Sequence, residues 1–155
     1  MKTQSAYYQS PIGYLEIIAN DNALVAIKQA QAVPAKAKNN SSTSNKVINQ
    51  TITELKDYFS GKTKQFSVPI SFKGTEFQNK IWNTLLTIPY GQTTSYAEIA
   101  KKIGNPKAVR AVGSAIGRNP IPVIIPCHRV ITSDGKMGGF AWGIDVKKEL
   151  LKVER

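Results

Sequence analysis

Residues 95–117 read SYAEIAKKIGNPKAVRAVGSAIG, and this stretch decides the fold. Ser95, with Glu98 three residues on, is a capping-box pattern that opens a helix running through Ile99 to Ile103. Gly104 stops that helix. Asn105 is placed to cap the next one, with Pro106 at its first helical position, and the second helix covers Lys107 to Gly117. Two short helices joined by a tight Gly-containing turn are the pattern of a helix-turn-helix, although an ordinary αα-corner has the same spacing.

Upstream of this pair, Thr75 and Gln78 form another capping box. Phe77, Ile81 and Leu85 give that helix its buried stripe, and Pro89-Tyr90-Gly91 ends it. Downstream, Pro120 to Ile131 is an extended apolar segment broken by Pro122 and Pro126. Ser133-Asp134-Gly135-Lys136 and Gly138-Gly139 are turns, suggesting a hairpin wing. Val146, Leu150 and Val153 make a terminal helix capped by Asp145.

The first thirty residues read as β-structure. Tyr14–Ala19 and Ala23–Lys28 are apolar, β-branched runs separated by Asn20-Asp21-Asn22, with an earlier turn at Pro11-Ile12-Gly13. Residues 31–45 are polar and low in complexity, and we expect a mobile loop there. Ile48, Ile52, Leu55 and Phe59 fall at helical spacing, Gly61 follows as a C-terminal cap, and Phe66, Val68 and Ile70 alternate like a short strand. The expected organisation is a small α/β domain at 1–70 and a winged helix-turn-helix domain at 71–155.

With 155 residues and 41% hydrophobic content, the chain can bury a real core. Twenty-one Lys and Arg against ten Asp and Glu give a net charge of +11. Such an excess favours a polyanionic partner, since each cation beside a phosphate releases a condensed counterion. It also fits a plain lysine-rich surface. The single cysteine excludes an internal disulfide and a Cys-rich zinc site. The start, Met1-Lys2-Thr3-Gln4, carries no apolar run of a secretory signal, and no stretch approaches the roughly 20 apolar residues of a membrane span. We therefore expect a soluble, cytoplasmic protein.

Cys127 and His128 are adjacent and each is the sole residue of its type. A free thiol ionises near pH 8.5, so thiolate chemistry needs a local perturber, and His128 is the candidate base. Neighbouring side chains on a strand point apart; a bridging water or a turn beginning at Pro126 would bring the two together. A lone cysteine can equally be buried and inert. In the helix from Lys107 to Gly117, Ala108, Ala111, Gly113, Ser114, Ala115 and Gly117 are all small, and Arg110 is the one long cation in its middle. A small face lets a backbone approach a surface, which serves core packing or nucleic acid. Arg can stack on bases and grip phosphate as a planar fork.

Arg110-Ala111-Val112-Gly113, Asn119-Pro120 and Ile125-Pro126-Cys127-His128-Arg129-Val130 closely resemble the O6-alkylguanine-DNA alkyltransferases. The resemblance extends from Phe77 to the C-terminus and is weaker before Gly74. It implies a ribonuclease H-like first domain, and direct-reversal repair of O6-alkylguanine, with O4-alkylthymine as a second substrate. It implies that Cys127 is the alkyl acceptor, His128 its water-mediated base, Glu154 the carboxylate that orients that histidine, and Asn119 the brace of the active-site turn. Arg110 would fill the gap left by a flipped base, with Gly113 and Ser114 on the same DNA-facing helix. Tyr96 would help rotate the nucleotide and bond the base, while Val130, Phe140 and Ala141 would line the base pocket. The family often has serine at the place of Ala141.

The implied reaction is a single-turnover displacement with no cofactor and no metal. The implied partner is duplex DNA, approached from the minor groove by a monomer. Non-catalytic alkyltransferase-like proteins lack the acceptor cysteine, which Cys127 supplies. A winged-helix regulator would carry polar base-reading side chains where this helix has Ala and Gly. A cysteine hydrolase would turn over repeatedly.

Overall fold

The computed structural model describes residues 2–31 and 43–155, and most of the segment expected as a mobile loop lies outside the described residues. The chain folds as two compact units, Met1–Phe72 and Lys73–Arg155.

In the first unit, β1 (Gln4–Ser10), β2 (Gly13–Ala19) and β3 (Leu24–Gln29) form an antiparallel meander in the order β1-β2-β3. Both turns are built as their residues dictate. Gly13 takes φ +104° between β1 and β2, a conformation that costs glycine little. Asn20 Oδ1 accepts hydrogen bonds from the Asn22 and Ala23 amides, each at 2.8 Å. The period of two puts Leu15, Ile17 and Ala19 wholly inside beside Ala6 and Tyr8. Helix α1 (Lys46–Phe59) covers this face with Ile48, Ile52 and Leu55.

Three expectations change here. Thr43 to Asn45 belong to the cap of α1: Asn45 is buried, its Oδ1 accepts from the Ile48 amide at 3.0 Å, and its amide group donates to the Asn20 carbonyl. Tyr58, one position before Phe59, fills the core, and Phe59 packs edge-on against its ring at 5.2 Å. Residues 66–70 form no strand, only a single parallel bridge between Leu24 and Ile70. The Glu54 carboxylate takes the Ser67 and Val68 amides at 2.8 and 3.1 Å, so those donors are not free for a ladder.

In the second unit, α2 (Glu76–Leu85) carries the complete Thr75–Gln78 capping box. Ile81, Trp82 and Leu85 are buried while Phe77 is half-buried, and the Trp82 indole donates to the Ala115 carbonyl at 2.9 Å. The helix ends at Leu85, ahead of Pro89. The two-residue strand β4 (Thr94–Ser95) leads into α3 (Tyr96–Lys102), where the Ser95 hydroxyl accepts from the Glu98 amide.

The link to α4 (Val109–Gly117) differs from expectation. Gly104, at φ +80°, donates to Lys101 O, and the Asn105 amide donates to Ala100 O. These two bonds are a Schellman ending, so the Asn105 amide completes α3. Its carbonyl accepts from Ala108, closing a further turn around Pro106, and α4 begins two residues later than its composition suggests.

The segment after α4 is not extended. Pro122 and Ile125 bridge across a tight turn that holds Val123 at φ +76°, and Cys127–Arg129 form one 3-10 turn. β5 (Val130–Ile131) then pairs with β4 in parallel, and the described residues of this unit hold no antiparallel wing. Helix α5 (Ile144–Val153) starts at Gly143, φ +96°, without a side-chain cap. Asp145 lies inside its first turn, facing the positive end of the helix. No helix among the described residues is long and apolar enough to cross a membrane.

Candidate active site

The second unit holds a cavity of about 350 Å³ whose lining includes Tyr96, Gly113, Asn119, Cys127, Phe140 and Ala141. Six residues singled out in the sequence, from five separate segments, therefore converge on one space. Val130 is fully buried and does not line it; its carbonyl instead accepts from the Lys147 ammonium at 2.6 Å. Trp142, which the sequence reading passed over, completes one wall and meets the Phe140 ring edge-on at 6.3 Å.

Each wall has a local cause. Helix α4 buries Val112, Ala115 and Ile116, leaving Arg110, Ser114 and Gly117 on the outward side. Gly113 faces the cavity and the Tyr96 ring. Asn119 ties the turn before the cysteine: its side chain donates to Ile125 O at 2.8 Å and accepts from the Ile121 amide at 2.9 Å. It also hydrogen-bonds the Cys127 thiol. Gly138, at φ +71°, lets the chain pass the Tyr96 ring so closely that a Cβ there would lie 3.0 Å from it.

Cys127 is 5% exposed. Burial pushes its thiol up to about 11, outweighing the Asn119 hydrogen bond and the positive charge of Lys147. The resting group at neutral pH is therefore a neutral thiol. His128 is fully buried on the same 3-10 turn. Its Nε2 lies 2.6 Å from Glu154 Oε2, while Nδ1 makes no hydrogen bond to any other described group. Desolvation holds the imidazole below its ordinary range, against the pull of Glu154. A carboxylate only accepts, so the neutral ring carries its proton on Nε2 and leaves Nδ1 as a free base.

Glu154 is 3% exposed although it is the penultimate residue. Arg129 grips it with a two-pronged fork, Nε to Oε1 at 2.8 Å and Nη2 to Oε2 at 3.0 Å, and donates through Nη1 to Ile88 O at 2.7 Å. Tyr90 donates to Val153 O at 3.1 Å. The Gly91 amide reaches Glu154 Oε1 at 3.4 Å. The Pro89–Gly91 turn thereby clamps the end of α5.

Lys147 is the other buried charge that sequence reading missed. Its ammonium donates to the carbonyls of Val130, Met137 and Gly139 and lies 5.9 Å from the centre of the Tyr96 ring. Desolvation lowers it to about 8. Burial raises the Tyr96 phenol above its ordinary value, so at neutral pH it is a donor, and its hydroxyl reaches Gly139 O at 3.5 Å. The site thus brings together a buried thiol, a neutral imidazole with an unbonded nitrogen, a neutral phenolic donor and a largely apolar pocket.

The chain matches two family models, 6-O-methylguanine DNA methyltransferase, ribonuclease-like domain, over residues 4–72, and 6-O-methylguanine DNA methyltransferase, DNA binding domain, over residues 76–155. It is 44% identical over 154 residues to the methylated-DNA–protein-cysteine methyltransferase of Methanosarcina acetivorans, covering 96% of each chain. With the protein of the same name from Mycobacterium bovis it shares 40% identity over 146 residues, 94% of this chain and 88% of that one. The crystal structure of Mycobacterium tuberculosis OGT in complex with DNA superposes with a TM-score of 0.86 at 39% identity, covering 97% of this chain and 91% of that chain. The expected order of a ribonuclease-like domain followed by a DNA-binding domain holds.

Proposed function

Because the chain belongs to the 6-O-methylguanine DNA methyltransferase family, we propose that it repairs duplex DNA by moving the alkyl group of O6-alkylguanine, and of O4-alkylthymine, onto Cys127 in a single irreversible step. The observation that carries this reading is a buried neutral thiol lining the pocket, on the same turn as a neutral imidazole with a free nitrogen.

An O6-alkyl group inside a duplex is not open to in-line attack, so the base must leave the stack. Helix α4 would lie in the minor groove, its exposed small residues allowing close approach, with Ser114 beside the backbone and Arg110 in the vacated stack. The base would sit between Tyr96, Gly113, Phe140 and Ala141. Bonding to Ala141 would run through its backbone, so the lack of a serine hydroxyl there changes little. His128 Nδ1 takes the thiol proton through one water, Glu154 stabilises the imidazolium, and the sulfur pair attacks the alkyl carbon. The C–O bond breaks, and the Tyr96 phenol supplies hydrogen bonding that lets guanine leave neutral. The product is a thioether that no group in the site can cleave. No cofactor takes part, and the protein acts as an intracellular monomer.

The test compares wild type with Cys127→Ala on duplex DNA bearing one labelled O6-methylguanine. Wild type should remove the label from DNA and carry it; Cys127→Ala should bind the duplex and remove none. Label loss in the variant would assign the acceptor elsewhere.

A further inference from the structure

We propose that Arg129 is a positioning residue for alkyl transfer, fixing Glu154 as an ionised carboxylate in one rotamer and thereby holding His128 neutral with its proton on Nε2. This rests on the reading of Cys127 as acceptor and His128 as its base.

The geometry carries the argument. Glu154 Oε2 accepts from both His128 Nε2 and Arg129 Nη2, at 2.6 and 3.0 Å, and Oε1 accepts from Arg129 Nε at 2.8 Å. Besides the Gly91 amide, one buried carboxylate therefore serves two side-chain donors, only one of which carries a fixed charge. Without Arg129 the pull of the carboxylate on the imidazole would meet less opposition and shift the ring toward the imidazolium, which has no nitrogen left to accept a proton. Arg129 supplies the compensating cation in advance, so a second one on His128 is disfavoured.

The charged and titratable groups around His128 are Glu154 and Lys147 from the C-terminal helix and its end, and Arg129 and Cys127 on its own turn. Burial opposes protonation of the ring most, Glu154 favours it, and the two cations add to the opposition. A lysine would keep the charge but not the planar fork that matches both oxygens. The Ile88 carbonyl and the Tyr90 ring, 5.8 Å from the guanidinium carbon, hold the fork in place. In the reaction the S–H bond breaks and an Nδ1–H bond forms through the water, the electron pair staying on sulfur. Arg129 touches none of these atoms and acts through Glu154.

The chain has one histidine, so ring nitrogen shifts in ¹⁵N-histidine-labelled protein report His128 directly. Those shifts and the single-turnover rate on an O6-methylguanine duplex are followed against pH in wild type, Arg129→Met and Arg129→Lys, with thermal unfolding of each. Wild type should keep a neutral, Nε2-protonated ring far into the acid range. Arg129→Met should titrate higher and lose roughly tenfold in rate at mildly acid pH for each unit of that shift, recovering part of the loss as pH rises. Arg129→Lys should hold the titration, mix the two tautomers and transfer several-fold more slowly.

A rate loss in Arg129→Met that is uniform across pH, with an unmoved His128 titration, would overturn the proposal and leave Arg129 a purely structural residue. If Arg129→Met does not fold, a wild-type rate in Arg129→Lys overturns it instead. Should wild type itself transfer nothing to Cys127, the functional reading fails, while the titration series still tests the hold of Arg129 on His128.

Discussion

His128 Nε2 and Glu154 Oε2 meet at 2.6 Å with both side chains sealed from solvent, joining the 3-10 turn that bears Cys127 to the end of the C-terminal helix. A histidine so placed cannot choose its tautomer freely. Nε2 is committed to the carboxylate, and Nδ1 has no hydrogen-bond partner among the described residues.

Glu154→Gln keeps an acceptor for Nε2 but removes the charge that stabilises an imidazolium. Transfer at neutral pH should fall within the range typical of general-base loss, about 10²- to 10⁴-fold, and the rate should climb with pH as hydroxide takes over. The variant also strands Arg129 as a buried unpaired cation, at a cost of about 3–5 kcal/mol, so thermal melts must accompany the rates. A folded variant with the wild-type pH profile would remove Glu154 from the mechanism.

Cys127, held near 11, should resist simple alkylating reagents at neutral pH. In the absence of DNA, its reaction with iodoacetamide should quicken about tenfold per pH unit up to about that value, because only the thiolate reacts. The folded thiol ionises near 11, above the free value, so the folded state binds the extra proton between the two and this contribution to stability is lost as pH rises through that window. Timed intact-mass measurements give the rate; a plateau at neutral pH would mean that the thiolate already stands in the resting protein.

Much of this site was legible in the sequence, and its gaps have physical causes. Cys127, His128 and Asn119 declared themselves by residue type and motif. Arg129 stood in the same motif, but nothing in its spacing shows that its charge turns inward. Lys147 was hidden differently, and Glu154 was reached only through the family resemblance, not through the pattern of its helix. The buried stripe at the end of the chain is Lys147, Leu150 and Glu154, whereas a hydrophobic reading selects Val146, Leu150 and Val153, of which only Leu150 is fully buried. A stripe that buries two charges carries no apolar period to find. The β4–β5 pairing was equally silent, since two parallel bridges between two-residue strands leave no alternation to read.

Asn119 holds two backbone groups, the Ile121 amide, which has no other bond to a described residue, and the Ile125 carbonyl, which would keep only the Cys127 amide at 2.7 Å. Asn119→Ala should destabilise the protein by about 1–3 kcal/mol, which thermal unfolding should register as a lower midpoint. The same variant should slow transfer by letting the Cys127 turn relax. An unchanged midpoint would show that the turn is held by its prolines alone.

Arg110 is exposed in the first turn of α4, one residue after its start and away from the buried Val112, Ala115 and Ile116. If it fills the vacated stack, Arg110→Ala should slow repair of duplex DNA strongly while weakening overall affinity modestly, since flipping costs a few kcal/mol that a stacked guanidinium offsets. Reaction with free O6-benzylguanine needs no flipping and should be nearly unaffected. Arg110→Lys should rescue little, because an ammonium lacks the planar surface. Equal losses on both substrates would assign Arg110 to the fold rather than to DNA.

The most direct test is a titration of the protein with duplex DNA carrying one O6-methylguanine per molecule, read by intact-protein mass and peptide mapping. One equivalent should add a single methyl mass, the mapped adduct should lie on Cys127, and the modified protein should repair nothing further. More than one methyl group removed per protein molecule, or an adduct mapped to any other residue, would contradict single-turnover transfer to Cys127.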